Sequence, residues 1–339
     1  MAATSPTVQP SPLPFFEAVN SFQKSAALRA AIELDVFTAI ADGAATPAAL
    51  AEKCQASERG MRILCDYLTV HGFLEKTDAE YALPPNSAIF LNRHSQAWIG
   101  SIVYFLTHPV QMERFRDLTA SVRKGGAADA SEIETDHPMW ADFARFMAPL
   151  MFPASQEIGE LLGASAGGPC KILDVAASHG VFGITIAQKN ANARVVALDW
   201  PHVLEVAREN AARMGVSDRH STIGGDALAV DWGSDHDLVL LTNFLHHFDR
   251  ATCERLLRKA HASLKSGGRV AILEFVPNND RISPPLPAAF SLIMLANTPA
   301  GDAYTLDELQ AMTAAAGLSN VTAHTLSNHV QTLVVATKS

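Results

Sequence analysis

The sequence predicts an α/β fold in which a seven-stranded, mostly parallel sheet follows a mostly helical N-terminal domain. Three observations predict it. Lys171-Ile-Leu-Asp-Val175 is an apolar strand that runs into small residues, Ala176-Ala-Ser-His-Gly180, and then into a helical pattern. Apolar runs such as Leu238-Val-Leu-Leu241 suit strands covered on both faces. From residue 171 onward strand and helix patterns alternate, as crossover connections between parallel strands require.

Composition narrows the class. The 339 residues suffice for two domains with their own cores. A hydrophobic fraction of 48% and a charged fraction of 18% describe a globular chain. The net charge of −9, with lysines and arginines scattered, disfavours a nucleic-acid partner. The N-terminus lacks the basic and apolar regions of a signal peptide, and no apolar run reaches the length of a membrane span. Cys54, Cys65, Cys170 and Cys253 form no C-x-x-C pair and read as reduced thiols of a cytoplasmic protein.

Residues 1–14, rich in Pro, Ser and Thr, are expected to be mobile. The next domain spans 15–85. Phe15, Val19, Phe22, Ala26 and Ala30 recur at helical spacing. Thr46 before Pro47, and Ser57, are good helix N-caps. Gly72–Glu75 and Tyr81–Leu83 suggest a small hairpin, which completes a winged-helix outline. Residues 86–165 read as helical. Gly163–Pro169 reads as a linker to a domain at 166–339.

In that last domain strands are expected at 171–175, 194–199, 219–223, 237–242, 269–276, 321–325 and 330–337. Helices are expected at 182–188, 201–214, 251–264 and 306–316. The short connection between the last two strands makes one of them antiparallel. Ser283-Pro-Pro-Leu-Pro287 reads as a stiff loop.

Parallel sheets bind nucleoside cofactors at their carboxyl edge. The turn after the first strand is not G-x-G-x-x-G, which removes the main support for a nicotinamide. Asp199 ends the second strand, where a carboxylate accepts ribose hydroxyls. Gly224-Gly-Asp226 follows the third, where a carboxylate commonly meets an adenine amino group.

Taken in order, Asp174-Val-Ala-Ala-Ser-His-Gly180, Leu198-Asp-Trp-Pro-His-Val203, Gly224-Gly-Asp226, Leu245-His-His-Phe-Asp249 and Gly267-Gly-Arg-Val-Ala-Ile-Leu-Glu274 resemble class I S-adenosylmethionine-dependent methyltransferases with a Rossmann-like sheet. Over nearly the whole chain the likeness is to two-domain O-methyltransferases of plant phenolics, acetylserotonin and bacterial polyketides. The resemblance implies S-adenosyl-L-methionine as cofactor and a small-molecule acceptor. It implies cofactor contacts at Asp174, Ala176, Gly180, Asp199, Trp200, Gly225, Asp226, Ala227, Thr242 and Asn243. Where the family usually has G-G-G-x-G, this chain has Ala176, Ala177 and Ser178, which fit if their φ angles are negative.

The resemblance also implies chemistry. His246 aligns with the general base, and Glu274 with the acid that orients it. His247 replaces an acid of the plant enzymes and is expected only to line the pocket. Ala303 stands where those enzymes supply a second acid. The implied acceptor pocket comprises Phe143, Met147, Phe152, Phe290, Met294 and Thr298. No metal is implied, and the N-terminal domain is expected to form a homodimer. Two alternatives stay open. S- or N-methylation of a small aliphatic acceptor needs no base. A winged-helix DNA regulator is opposed by residues 1–100, which carry seven basic and ten acidic residues, a net of −3.

Overall fold

Thr46 and Ser57 sit in extended backbone, and their hydroxyls accept the N–H groups of Ala49 and Gly60, so each starts a helix as a cap. The computed structural model describes residues 9–128, 139–327 and 329–339, which divide into one unit ending at Thr107 and another beginning at His108. Of the N-terminal segment expected to be mobile, 1–8 lie outside the described residues, and the first helix already begins at Leu13.

The first unit contains α1 (Leu13–Glu33), α2 (Val36–Ala41), α3 (Pro47–Lys53), α4 (Glu58–Val70), the hairpin β1 (Glu75–Thr77) and β2 (Glu80–Ala82), α5 (Pro85–Phe90) and α6 (Ile102–Leu106). Phe37, Leu50, Met61, Leu68, Leu74 and Tyr81 are buried at its centre. The first half of α1 is different: Leu13, Phe15, Phe16, Val19 and Phe22 are all more than half exposed.

The second unit opens with α7 (Pro109–Arg116), α8 (Leu118–Lys124) and α9 (Met139–Leu161). There follow β3 (Cys170–Val175), α10 (Val181–Lys189), β4 (Ala193–Asp199), α11 (Pro201–Arg213), β5 (His220–Gly224) and β6 (His236–Thr242). The unit closes with α12 (Arg250–Ser263), β7 (Leu264–Glu274), α13 (Pro285–Asn297), α14 (Leu306–Ala315), β8 (Leu318–Thr325) and β9 (Thr332–Lys338). The sheet order is β5-β4-β3-β6-β7-β9-β8, and only β9 runs against its neighbours. Helices α9, α10 and α11 cover one face and α12 and α14 the other. Among the described residues no helix is long and apolar enough to cross a membrane.

Three expectations need adjustment. Residues 163–169 join α9 to β3 inside the second unit, because Ala148, Met151, Ala154 and Ile158 of α9 belong to the core of the sheet. The expected loop at 283–287 is already helix from Pro285, since proline is tolerated in the first helical turn. Strand ends shift by a few residues; β5 starts at His220 because Ser217–Arg219 forms a 3₁₀ turn, and β7 starts at Leu264.

Candidate active site

Parallel pairing of β5, β4, β3, β6 and β7 brings the carboxyl ends of these strands to one edge. The candidate cofactor residues gather there. After β3 the turn is closed by Ala177 N–H on Leu198 O at 3.1 Å and Gly180 N–H on Ala177 O at 2.7 Å. Ser178 N–H is donated to Asp199 Oδ2 at 2.8 Å. This path needs left-handed backbone, and Ala176 has φ 53° and Ser178 φ 52°. The expectation of negative φ fails at both positions. The chain keeps a glycine-like turn without the glycines, at a cost of roughly 1–2 kcal/mol per residue. Gly180, at φ 71°, is required: a Cβ there would stand 3.0 Å from that of Ala207.

Asp174 is wholly buried. One oxygen accepts Gly183 N–H at 3.2 Å, and Oδ1 has no partner among the described residues. Burial pushes its carboxyl up to about 7, and the nearby charge of Asp199 adds to the rise. An unpartnered buried oxygen asks for a donor, and the ammonium of an amino-acid ligand supplies one. Asp199 is raised by burial as well. Its Oδ1 accepts Trp200 N–H at 2.7 Å, so each oxygen holds one main-chain donor and keeps capacity for a ribose hydroxyl. Gly225, at φ 142°, uses backbone that only glycine adopts freely, and places Asp226 at the end of β5. Asp226 Oδ1 accepts Leu228 N–H at 2.8 Å. These residues fit a nucleoside carrying an amino acid.

Two partners of this region escaped the sequence reading. Lys259 donates to the carbonyls of Ala227, Leu228 and Val230 at 2.8, 3.1 and 2.8 Å, and so shapes the loop after Asp226. The signal was a lysine among Leu256, Leu257 and Ala260 on the buried side of α12. Gln331, 1% exposed, donates to the Asn243 side chain, whose backbone at φ 55° ends β6 beyond the buried Thr242.

The candidate base lies in a 3₁₀ turn, Leu245–His247. His246 Nδ1 is 2.5 Å from Glu274 Oε2. Glu274 Oε1 accepts the main-chain N–H groups of Phe244, Leu245 and His246 at 3.0, 2.8 and 3.3 Å. A carboxylate there orients the imidazole with Nδ1 protonated and leaves Nε2 as an acceptor. His247 is held well below the ordinary histidine range, by burial first and by the neighbouring His246 second, and stays neutral.

Of the pocket candidates, Phe290 reaches the base: its ring meets His246 edge-on at 4.9 Å and stacks on Phe275 at 3.9 Å. Met294 is buried on the same helix, and its carbonyl accepts the Thr298 hydroxyl at 2.8 Å. The α9 candidates have other surroundings. Phe143 packs edge-on to Trp140, Met147 packs against the sheet core, and Phe152 is 40% exposed.

Residues 159–319 match the O-methyltransferase domain, and residues 16–93 match the O-methyltransferase dimerisation domain. A candidate O-methyltransferase of Nostoc punctiforme, known from its crystal structure, is 50% identical, with 98% of this chain and 100% of that chain covered and a TM-score of 0.94. The chain is 29% identical to 3-hydroxy-5-methyl-1-naphthoate 3-O-methyltransferase of Streptomyces sahachiroi, over 81% of its own length and 80% of the relative's. Human N-acetylserotonin methyltransferase, solved in complex with S-adenosylmethionine, shares the fold at a TM-score of 0.85 and 20% identity, with 99% of each chain covered. The chain therefore belongs to the family of S-adenosylmethionine-dependent O-methyltransferases that carry an N-terminal dimerisation domain.

Proposed function

We propose that the protein methylates a hydroxyl on a small aromatic molecule, with His246 as general base and Glu274 as the residue that orients it. The observation that carries this reading is the 2.5 Å contact between His246 Nδ1 and Glu274. When bound, S-adenosylmethionine supplies an electrophilic methyl group on a sulfonium. The protein's own part is to aim the acceptor and remove its proton. His246 Nε2 takes the hydroxyl proton as the oxygen attacks. Glu274 supports the positive charge that then forms on the imidazole. Phe290 and Phe275 offer an apolar wall beside the base, which suits a planar ring. The naphthoate specificity in the name of the Streptomyces relative agrees with that acceptor class.

At the other end of the site, Asp199 receives the ribose hydroxyls, Asp174 faces the ammonium, and Asp226 with Ala227 borders the adenine. We further infer a cytoplasmic homodimer. The exposed apolar face of α1 and the dimerisation-domain match support the dimer, and four free cysteines support the compartment. The test is transfer of a labelled methyl group to a panel of phenols, hydroxy acids and thioethers, repeated with His246→Ala. Phenol methylation that falls about 100-fold or more in the variant is expected; unchanged turnover would sink the base assignment.

A further inference from the structure

The turn that carries His246 is held from a second side, by the segment between α13 and α14. In this segment Ala303 is fully buried. The segment presses on the main chain of the turn. A Cβ on Gly301 would stand 2.1 Å from the carbonyl oxygen of His246 and 2.9 Å from the carbonyl carbon of His247, so only glycine fits. Gly301 N–H is donated to the Thr298 hydroxyl at 2.8 Å. Three residues on, the buried Tyr304 donates its hydroxyl to Phe248 O at 2.6 Å. The Cys253 thiol donates to Leu245 O at 3.1 Å from the α12 side.

The segment is fixed in turn. Arg281 pairs with Asp302 at 3.0 Å and with Glu308 at 2.5 Å. Glu308 also accepts Thr305 N–H at 2.8 Å in a capping box that starts α14. Glu274 therefore gathers the N–H groups of the turn, while Tyr304, Cys253 and Gly301 govern its carbonyls.

We propose that Gly301 and Tyr304 are positioning residues for methyl transfer. They hold the main chain of residues 245–248 so that the His246 ring keeps Nδ1 on Glu274 and Nε2 toward the acceptor. The proposal rests on the reading of His246 as the base, and the experiment separates the two.

Tyr304→Phe and Gly301→Ala are compared with His246→Gln. For each, kcat and acceptor KM are measured, S-adenosylhomocysteine affinity is taken by calorimetry, and the His246 Nδ1 proton is followed by NMR. Tyr304→Phe is expected to lower kcat about tenfold with KM and cofactor affinity within about twofold, and to move the Nδ1 proton resonance. Gly301→Ala should lose about 100-fold in kcat while the cofactor still binds. Calorimetry checks folding in each variant. If His246→Gln is inactive but Tyr304→Phe and Gly301→Ala match the wild type in kcat and in the resonance, the brace is overturned and the base stands. If His246→Gln keeps wild-type turnover, the base reading fails and the catalytic role of the brace goes with it.

Discussion

Glu274 holds His246 twice, by its main-chain N–H on Oε1 at 3.3 Å and by its ring Nδ1 on Oε2 at 2.5 Å. One buried carboxylate thus fixes both the position of the histidine and the orientation of its ring.

Glu274 variants should separate these two jobs. In Glu274→Gln the amide oxygen still accepts the three N–H groups, but the amide nitrogen faces Nδ1 and favours the wrong tautomer. We expect near-native melting and a kcat lower by about 100-fold or more. Glu274→Ala leaves three buried donors without acceptors and should cost roughly 2–4 kcal/mol in urea denaturation. A Gln variant with wild-type kcat would contradict the orienting role.

Asp174 predicts a pH dependence. Its carboxyl rises from 3.8 to about 7 in the folded protein, so the folded state binds more protons than the unfolded chain between these values. Its contribution to stability is complete below about pH 4 and is lost as pH rises through 7, up to ~4 kcal/mol. Asp174→Asn should flatten the fall in urea midpoint between pH 5 and 7. A cationic ligand group should displace the proton, so calorimetry of S-adenosylhomocysteine near pH 6 in buffers of different ionisation enthalpy should show proton release. Identical heats in both buffers would refute this.

The left-handed turn predicts a gain. Ala176→Gly and Ser178→Gly remove a Cβ from positive-φ backbone, and each should raise stability by about 1 kcal/mol. Urea midpoints of the single and double variants measure it. A fall in stability would mean that the methyl and hydroxymethyl groups pack more favourably than the strain costs.

Lys259→Met should weaken S-adenosylhomocysteine binding about tenfold. It leaves the carbonyls of Ala227, Leu228 and Val230 without their shared donor and frees the loop after Asp226. An unchanged dissociation constant would show that Gly225 and the Trp232 bond to Ala227 O hold the loop alone.

Periodicity and caps made most of the sheet and its helices legible. Thr46, Ser57 and the apolar β6 act locally, within one turn or one strand, and such signals survive in a single sequence. Five strand ends ordered by parallel pairing also delivered Asp174, Asp199, Asp226, His246 and Glu274 to one edge. Contacts between distant segments were not legible. Lys259 reaches its carbonyls across about 30 residues, and Gln331 reaches Asn243 across 88. Gly301 against His246 is a matter of chain crossing, which no local pattern encodes. At Ala176 and Ser178 the side chains suggest negative φ, whereas the hydrogen bonds of Ala177 to Leu198 and of Ser178 to Asp199 impose a left-handed backbone.

The turn at Ala176 also bears on the history of the gene. Alanine and glycine codons differ by a single base, so relief of the strain at position 176 lies one substitution away from this sequence. A random library that selects only for heat resistance should therefore return Ala176→Gly early. If selection for turnover does not return it, the methyl group at that position contributes to the reaction beyond what folding requires.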